Sequence, residues 1–145
     1  MAGQVVAVCI SERKGTRKIP VSRVRMKPDV GIEGDAHAGN WHRQVSLLAM
    51  TSIKKMQTKG LEVNKGDFAE NITTDGINLV DLPIGARVKI GEAVLEITQI
   101  GKECHTRCAI YHQAGDCVMP KEGLFARVVA GGEVRPGDIV AHLVV

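Results

Sequence analysis

The chain has 145 residues, 44% hydrophobic and 24% charged, with a net charge of +3. That length suits one domain with a core of its own, and the composition excludes a disordered tail, a collagen-like chain and a coiled coil. The longest uncharged stretch, Met1 to Ser11, falls far short of the ~20 residues of a spanning helix and has no basic residue before its apolar part. No membrane role and a cytoplasmic location with reduced thiols are therefore expected. A charge of +3 with only four aromatic residues also argues against nucleic acid, because there is neither a strong basic footprint nor a stacking platform.

The 16 glycines, about 11% against a usual ~7%, predict short strands joined by tight turns. In chain order, Gln4 to Ile10 is a continuous apolar run of strand length, followed by a polar turn from Glu12 to Lys18. Ile19 to Met26 alternates and reads as one half-buried strand. Asp29 to Asn40, rich in glycine, is an ordered irregular loop. Val45 to Ala49 is a strand, and Thr51 caps a short helix that buries Ile53 and Met56 and stops at Gly60. β signals then return at Ala69–Thr73, Val88–Ile90, Ala93–Ile100, Phe125–Ala130 and Ile139–Val144, with turns at Gly91-Glu92, Gly131-Gly132 and Pro136-Gly137-Asp138. Strands without regular intervening helices disfavour a parallel doubly wound sheet. The expected fold is mainly β: a small, partly closed β-barrel with short helical insertions, one domain over residues 1–145.

Three constellations carry chemistry. The densest runs from Lys102 through Cys104, His105, Arg107 and Cys108 to His112, followed by Cys117. Cationic and protonatable neighbours raise the thiolate fraction of a cysteine, and a thiolate suits a soft metal or sulfur carried as a persulfide. The same residues are open to a structural zinc site or a Cys104–Cys108 disulfide, although the C-x3-C-x8-C spacing lacks the paired C-x2-C knuckles of strong zinc signatures. Cys9, inside an apolar strand, reads as core filler. The second constellation is Gly34-Asp35-Ala36-His37 with His42 and Arg43. Glycine permits close backbone approach and Arg43 offers a fork for phosphate or carboxylate, or else Asp35 makes turn hydrogen bonds and Arg43 is solvated. In the third, Gly66 to Ile72, Glu70 and Asn71 either orient a ligand or satisfy backbone groups at a bend. Dinucleotide, P-loop, zincin and nucleophile-elbow motifs are absent from the sequence.

Taken in order, Gly31-Ile-Glu-Gly-Asp-Ala-His-Ala-Gly39, Arg43-Gln-Val-Ser46, Gly66-Asp-Phe-Ala-Glu-Asn-Ile72, Leu82-Pro-Ile-Gly85, the Ala93–Thr98 strand, the cysteine segment and Gly123 to Asp138 resemble the MOSC domain, named after the C-terminal part of molybdenum-cofactor sulfurases. The resemblance implies a β-barrel that binds molybdenum cofactor or handles its sulfur. It places the functional cysteine, as metal ligand or persulfide carrier, at Cys104. Related members often have two residues between this cysteine and the next where this chain has three, which leaves Cys108 as the alternative. His37, Arg43 and Asn71 match positions facing the pocket, and Lys102 with Arg43 would meet the anionic cofactor's phosphate. Pyridoxal phosphate is not expected, since it serves the separate aminotransferase-like part of full sulfurases and no lysine here lies in a Schiff-base motif. Without flavin, haem or iron–sulfur motifs, the expectation is a cofactor carrier or a sulfurtransferase-type module dependent on a molybdoenzyme or sulfur-donor partner. The competing class is a structural-zinc or small-anion-binding barrel without catalysis.

Overall fold

The apolar N-terminal run forms the longest strand, β1 (Ala2–Ile10), in a computed structural model that describes residues 2–14, 16–101 and 122–143. The strands that follow are β2 (Ile19–Val21), β3 (Val24–Lys27), β4 (Gly31–Ile32) and β5 (Val45–Ala49). Helix α1 (Met50–Thr58) separates β5 from β6 (Ile72–Asp75), and a single 3-10 turn, Leu79–Asp81, precedes β7 (Arg87–Ile90). The order ends with β8 (Ala93–Ile100), β9 (Leu124–Ala130), β10 (Gly132–Val134) and β11 (Ile139–Leu143).

Seven strands close a ring in the order β1-β11-β7-β8-β9-β5-β6, and β6 returns to β1. The seam between the chain's two ends is antiparallel, with Ala2 opposite Ala141 and Gln4 opposite Ile139. The mainly β barrel expected from the sequence is therefore present, and its ring is fully closed, which leaves none of the seven strands as a free edge. β2 lies outside the ring against β1. There Pro20 is tolerated, since an edge strand does not require its missing N–H.

The Ile19–Met26 stretch does not form one strand. It breaks at Ser22-Arg23, and β3 joins β4 and β10 in a second, three-stranded sheet. The alternation was still informative, because Val24 and Met26 point inward and are buried. β10 occupies part of the stretch expected to be a turn after Gly131.

β5 explains why Val45 to Ala49 lacks polar alternation. Its Val45 and Leu47 face the barrel core with Ile72, Ile97 and Val140, while Leu48 faces outward into a second cluster with Ile53, Met56, Val63, Phe68 and Phe125. A strand buried on both faces reads as a continuous apolar run. β5 also makes the ring's parallel contact, with β6, and α1 packs over that contact. Ile53 and Met56 are the buried side of α1, while Lys54, Lys55 and Lys59 are exposed.

Thr51 is not the cap of α1. The N-cap is Ala49, without a side-chain hydrogen bond, and Thr51 lies inside the first turn. The helix is held instead by its apolar face, as short helices must be. Gly60 does end it: its φ is +87° and its N–H donates to Gln57 O at 3.0 Å.

Gly60 and Gly66 share a φ of +87°, but a Cβ at Gly60 would meet open space whereas one at Gly66 would overlap the carbonyl oxygen of Lys18. Gly60→Ala is expected to cost about 1–2 kcal/mol, the left-handed backbone term alone. Gly66→Ala adds steric overlap with main chain and should cost about 3 kcal/mol or more. Urea unfolding of the two variants measures the difference, and equal losses would contradict the close Gly66–Lys18 approach.

Candidate cofactor-binding face

The loop after β4 is organised around a buried ion pair. Lys18 Nζ lies 2.7 Å from Asp35 Oδ1, with both side chains fully inaccessible. Asp35 also accepts hydrogen bonds from the Ser11 and His37 backbone N–H groups, each at 3.1 Å. Lys18 in turn donates to Ser11 Oγ at 3.1 Å and stands 3.0 Å from His37 Nδ1. Burial alone would push the Asp35 carboxyl up, but the Lys18 ammonium and the Ser11 and His37 N–H groups outweigh it and hold it below the usual carboxylate range. Asp35 thus makes the turn hydrogen bonds that the sequence left open, and its loop is a fixed support for His37.

From His37 the chain builds an aromatic and cationic strip. Trp41 donates Nε1–H to the His37 carbonyl at 2.8 Å and stacks near its ring, with centroids 6.3 Å apart and planes 5° from parallel. His42 meets the Trp41 edge at 5.9 Å, and the Lys14 ammonium lies 4.9 Å above the Trp41 ring. Next in sequence, Arg43 donates from Nε to Gln99 Oε1 at 3.1 Å, and its guanidinium covers the Phe125 ring at 5.1 Å. His42 Nε2 lies 3.1 Å from the same Gln99 oxygen, and Thr98 Oγ1 donates to the His42 carbonyl.

Gln99 is the residue that sequence reasoning missed. Nothing local marks it, since it is one polar position near the end of β8. Its other amide end donates to Gly101 O at 2.8 Å, and Gly101 N–H donates to Gly123 O at 2.7 Å. The described chain on either side of residues 102–121 therefore meets beside the residue that aligns His42 and Arg43. Beyond that junction Glu122 accepts from Ser52 Oγ at 2.7 Å and Lys55 Nζ at 3.0 Å, tying it to α1.

Of the candidate site residues, His37 and Arg43 fall along this strip. Asn71 is placed differently. It is fully buried, its Oδ1 accepts from Ser46 N–H at 3.0 Å and Ser46 Oγ at 3.1 Å, and its Nδ2 donates to Cys9 O at 3.0 Å. Its amide thus braces β1 and β5 just before β6 begins. Glu70 beside it accepts from Phe68 N–H and Thr73 Oγ1, each at 3.2 Å. Burial pushes its carboxyl up against the opposing pull of these donors and of nearby backbone N–H groups. Cys9 is the core residue that its strand suggested: burial, reinforced by the Glu70 charge, raises its thiol to about 12. Lys102, Cys104, Cys108 and the accompanying His105, Arg107, His112 and Cys117 lie outside the described residues. Among the described residues no three His, Cys, Asp or Glu side chains gather as a metal site.

A closed mainly β barrel that fixes histidine, tryptophan and arginine side chains along one strip, at the junction flanking a cysteine-bearing segment, defines the class of protein. The chain belongs to the MOSC domain family, which matches residues 34–141. The fold is similar to that of the YuaD protein from Bacillus subtilis, with a TM-score of 0.81 at 18% identity over 100% of this chain and 98% of that one. YiiM from Escherichia coli superposes with a TM-score of 0.69 at 18% identity, covering 100% of this chain and 71% of that one. YiiM from Geobacillus stearothermophilus gives 0.70 at 19% identity, covering 98% and 75%. No curated protein matches the sequence. The MOSC family is associated with molybdenum-cofactor-related function. Among the described residues, no helix is long and apolar enough to cross a membrane.

Lys18→Met leaves the Asp35 charge buried without its partner and should cost about 3–5 kcal/mol in urea unfolding at pH 7. Because the folded Asp35 carboxyl titrates below its unfolded value, its contribution is complete above the ordinary carboxylate range and disappears as pH falls through the depressed folded value. The stability gap between wild type and Lys18→Met should accordingly narrow below about pH 4. A gap unchanged down to pH 2 would rule out Asp35 as the titrating partner.

Proposed function

We propose that this chain binds molybdenum cofactor on the His37–Arg43 strip and carries the cofactor or its sulfur, with Cys104 as the reactive thiolate and Cys108 as the alternative. The observation that carries this reading is the Gln99 junction, which joins the Arg43 guanidinium, through Gln99, to the Gly101 end of the cysteine-bearing segment. The donor set suits the group. Arg43 makes its hydrogen bond to Gln99 through Nε, and its terminal nitrogens would offer an anion a planar fork. Lys14, over the Trp41 ring, adds a second cation to the strip, and Trp41 itself offers an aromatic edge and face to a planar ring system.

When bound, the cofactor supplies a soft metal able to take a thiolate ligand and exchange sulfur. Arg43, held over Phe125 and by Gln99, would hold the cofactor's phosphate, and Lys102 would add charge for the same group. His42, sharing the Gln99 oxygen, limits the swing of the strip. In sulfur carriage the Cys104 thiolate attacks the outer sulfur of a donor protein's persulfide. The sulfur–sulfur bond forms on Cys104, and the donor leaves as its thiolate. The chain then depends on a sulfur-donor or molybdoenzyme partner for turnover.

The test is metal analysis by mass spectrometry after anaerobic incubation with molybdenum cofactor and desalting. Wild type should retain molybdenum near one per chain. Arg43→Ala, which loses charge-assisted hydrogen bonds worth about 1.5–3 kcal/mol, should retain it roughly ten- to a hundredfold more weakly with the fold intact. Cys104→Ala should abolish tight retention. No molybdenum on the wild-type protein, or resident zinc that resists exchange, would overturn the assignment. Loss in Cys108→Ala alone would move the thiolate role to Cys108.

A further inference from the structure

A cleft of about 780 Å³ lies at one end of the barrel, a volume in the range of small-molecule sites, which barrels commonly hold in their mouths. It sits where the parallel strands β5 and β6 both end, between the start of α1 and residues 74–80. No residue of the His37–Arg43 strip lines it.

Strand alternation explains the lining. Leu47 and Ile72 point into the barrel core, so Ala49 and Thr74, two residues further along the same strands, face the same way. Leu79 and Leu124 belong to that core, and Ile77 and Val80 pack against it. The floor of the cleft is therefore the apolar end of the barrel interior. One polar group is set into this floor. Thr74 is only 1% exposed, and its hydroxyl has no hydrogen-bond partner among the described residues. Among the same residues, every side-chain nitrogen or oxygen sealed from solvent does have a partner. The Thr74 hydroxyl is thus not sealed, and the small surface that this residue keeps lies at its oxygen. Thr73, on the other face of β6, gives its hydroxyl to Glu70 instead.

The rim is satisfied within the chain. Ser52 Oγ and Lys55 Nζ both donate to Glu122 Oε1, at 2.7 Å and 3.0 Å. Asp75 lines the cleft as a second carboxylate. The lining therefore carries one cation against two carboxylates, so an entering anion would have to displace Glu122 while meeting Asp75. That character is opposite to the strip bearing Lys14 and Arg43.

We propose that the barrel mouth is a second binding site, separate from the cofactor face, for a small uncharged organic molecule. Its apolar body rests on Leu79, Leu124 and Val80, and one polar group bonds the Thr74 hydroxyl. A hydroxyl can give or receive that bond. Among apolar walls it favours a ligand that brings a partner, because a wholly apolar ligand would cover the hydroxyl and leave it unsatisfied. The site rests on β5, β6 and β9 and not on the reading of the chain as a molybdenum-cofactor carrier.

The test uses two probes of nearly the same shape, phenylacetamide and the anionic phenylacetate. Each is titrated into full-length protein labelled at its isoleucine, leucine and valine methyl groups and followed by NMR. Phenylacetamide should give saturable shifts confined to the methyls of Ile77, Leu79, Val80 and Leu124, at about millimolar concentration for a fragment of that size. Phenylacetate should bind about tenfold more weakly or worse. Thr74→Val keeps the shape, removes the hydroxyl and should weaken phenylacetamide about two- to tenfold. Ala49→Leu, which fills the floor, should abolish the shifts while circular dichroism shows the fold retained. No shift at these methyls up to tens of millimolar, or equal shifts elsewhere on the surface, would overturn the site. Equal affinity for phenylacetate would overturn the choice of an uncharged ligand, and unchanged affinity in Thr74→Val would remove the hydroxyl as the anchor. If Ala49→Leu does not fold, the Thr74→Val comparison decides alone.

Discussion

The Lys18–Asp35 pair is the constraint on which the candidate face depends. Two charges removed from water gain only if their remaining hydrogen-bonding capacity is filled. Here it is filled by Ser11, at the end of β1, and by His37, in the loop beyond β4. The pair therefore joins segments 17 residues apart through side chains that have no alternative partner in solvent. Gly66 adds to this from the other side. Its carbonyl accepts the Lys18 backbone N–H at 2.7 Å, and its missing side chain leaves room for the Lys18 carbonyl. The loop carrying His37 and Trp41 is irregular in backbone but anchored at its base.

A second junction does the same for the opposite end of the strip. Gln99 takes a hydrogen bond from Arg43 and a contact from His42 on one side and reaches Gly101 on the other. The register of β8 against β9, with Gln99 opposite Phe125 and Ile100 opposite Leu124, sets that reach. The same register puts Phe125 beneath the Arg43 guanidinium and joins it to the apolar cluster under α1. Barrel packing and cation placement are one arrangement, so a change in strand register would move the arginine as well as the core.

The third apparent constellation has a different character. Glu70 and Asn71 are fully buried and bonded to backbone and hydroxyl groups of the barrel wall. Buried polar groups that are satisfied in this way specify a unique packing, here the parallel contact of β5 with β6 and its connection to β1. Motif-like spacing alone does not separate such braces from ligand-binding residues. Both kinds are polar side chains beside glycines, and only burial and partners distinguish them.

The sequence by itself determined the class of fold and most of the strands, because hydrophobic period and glycine turns act over a few residues and survive without tertiary context. It marked Cys9 as core, the buried face of α1, the stop at Gly60 and the His37–Arg43 stretch as chemically distinctive. Tertiary structure decided the rest. Closure of the ring through β1 and β11 joins residues more than 130 positions apart, which no local pattern encodes. The break at Ser22-Arg23 depends on a second sheet whose third strand, β10, is over 100 residues away. Gln99 acquires its role only when β8 and the chain before β5 are brought together, and Lys18 becomes a buried three-way contact only once Ser11, Asp35 and His37 surround it. A lysine in a polar stretch is ordinarily a solvated charge. Long-range packing removed the water from this one and gave it three fixed polar partners.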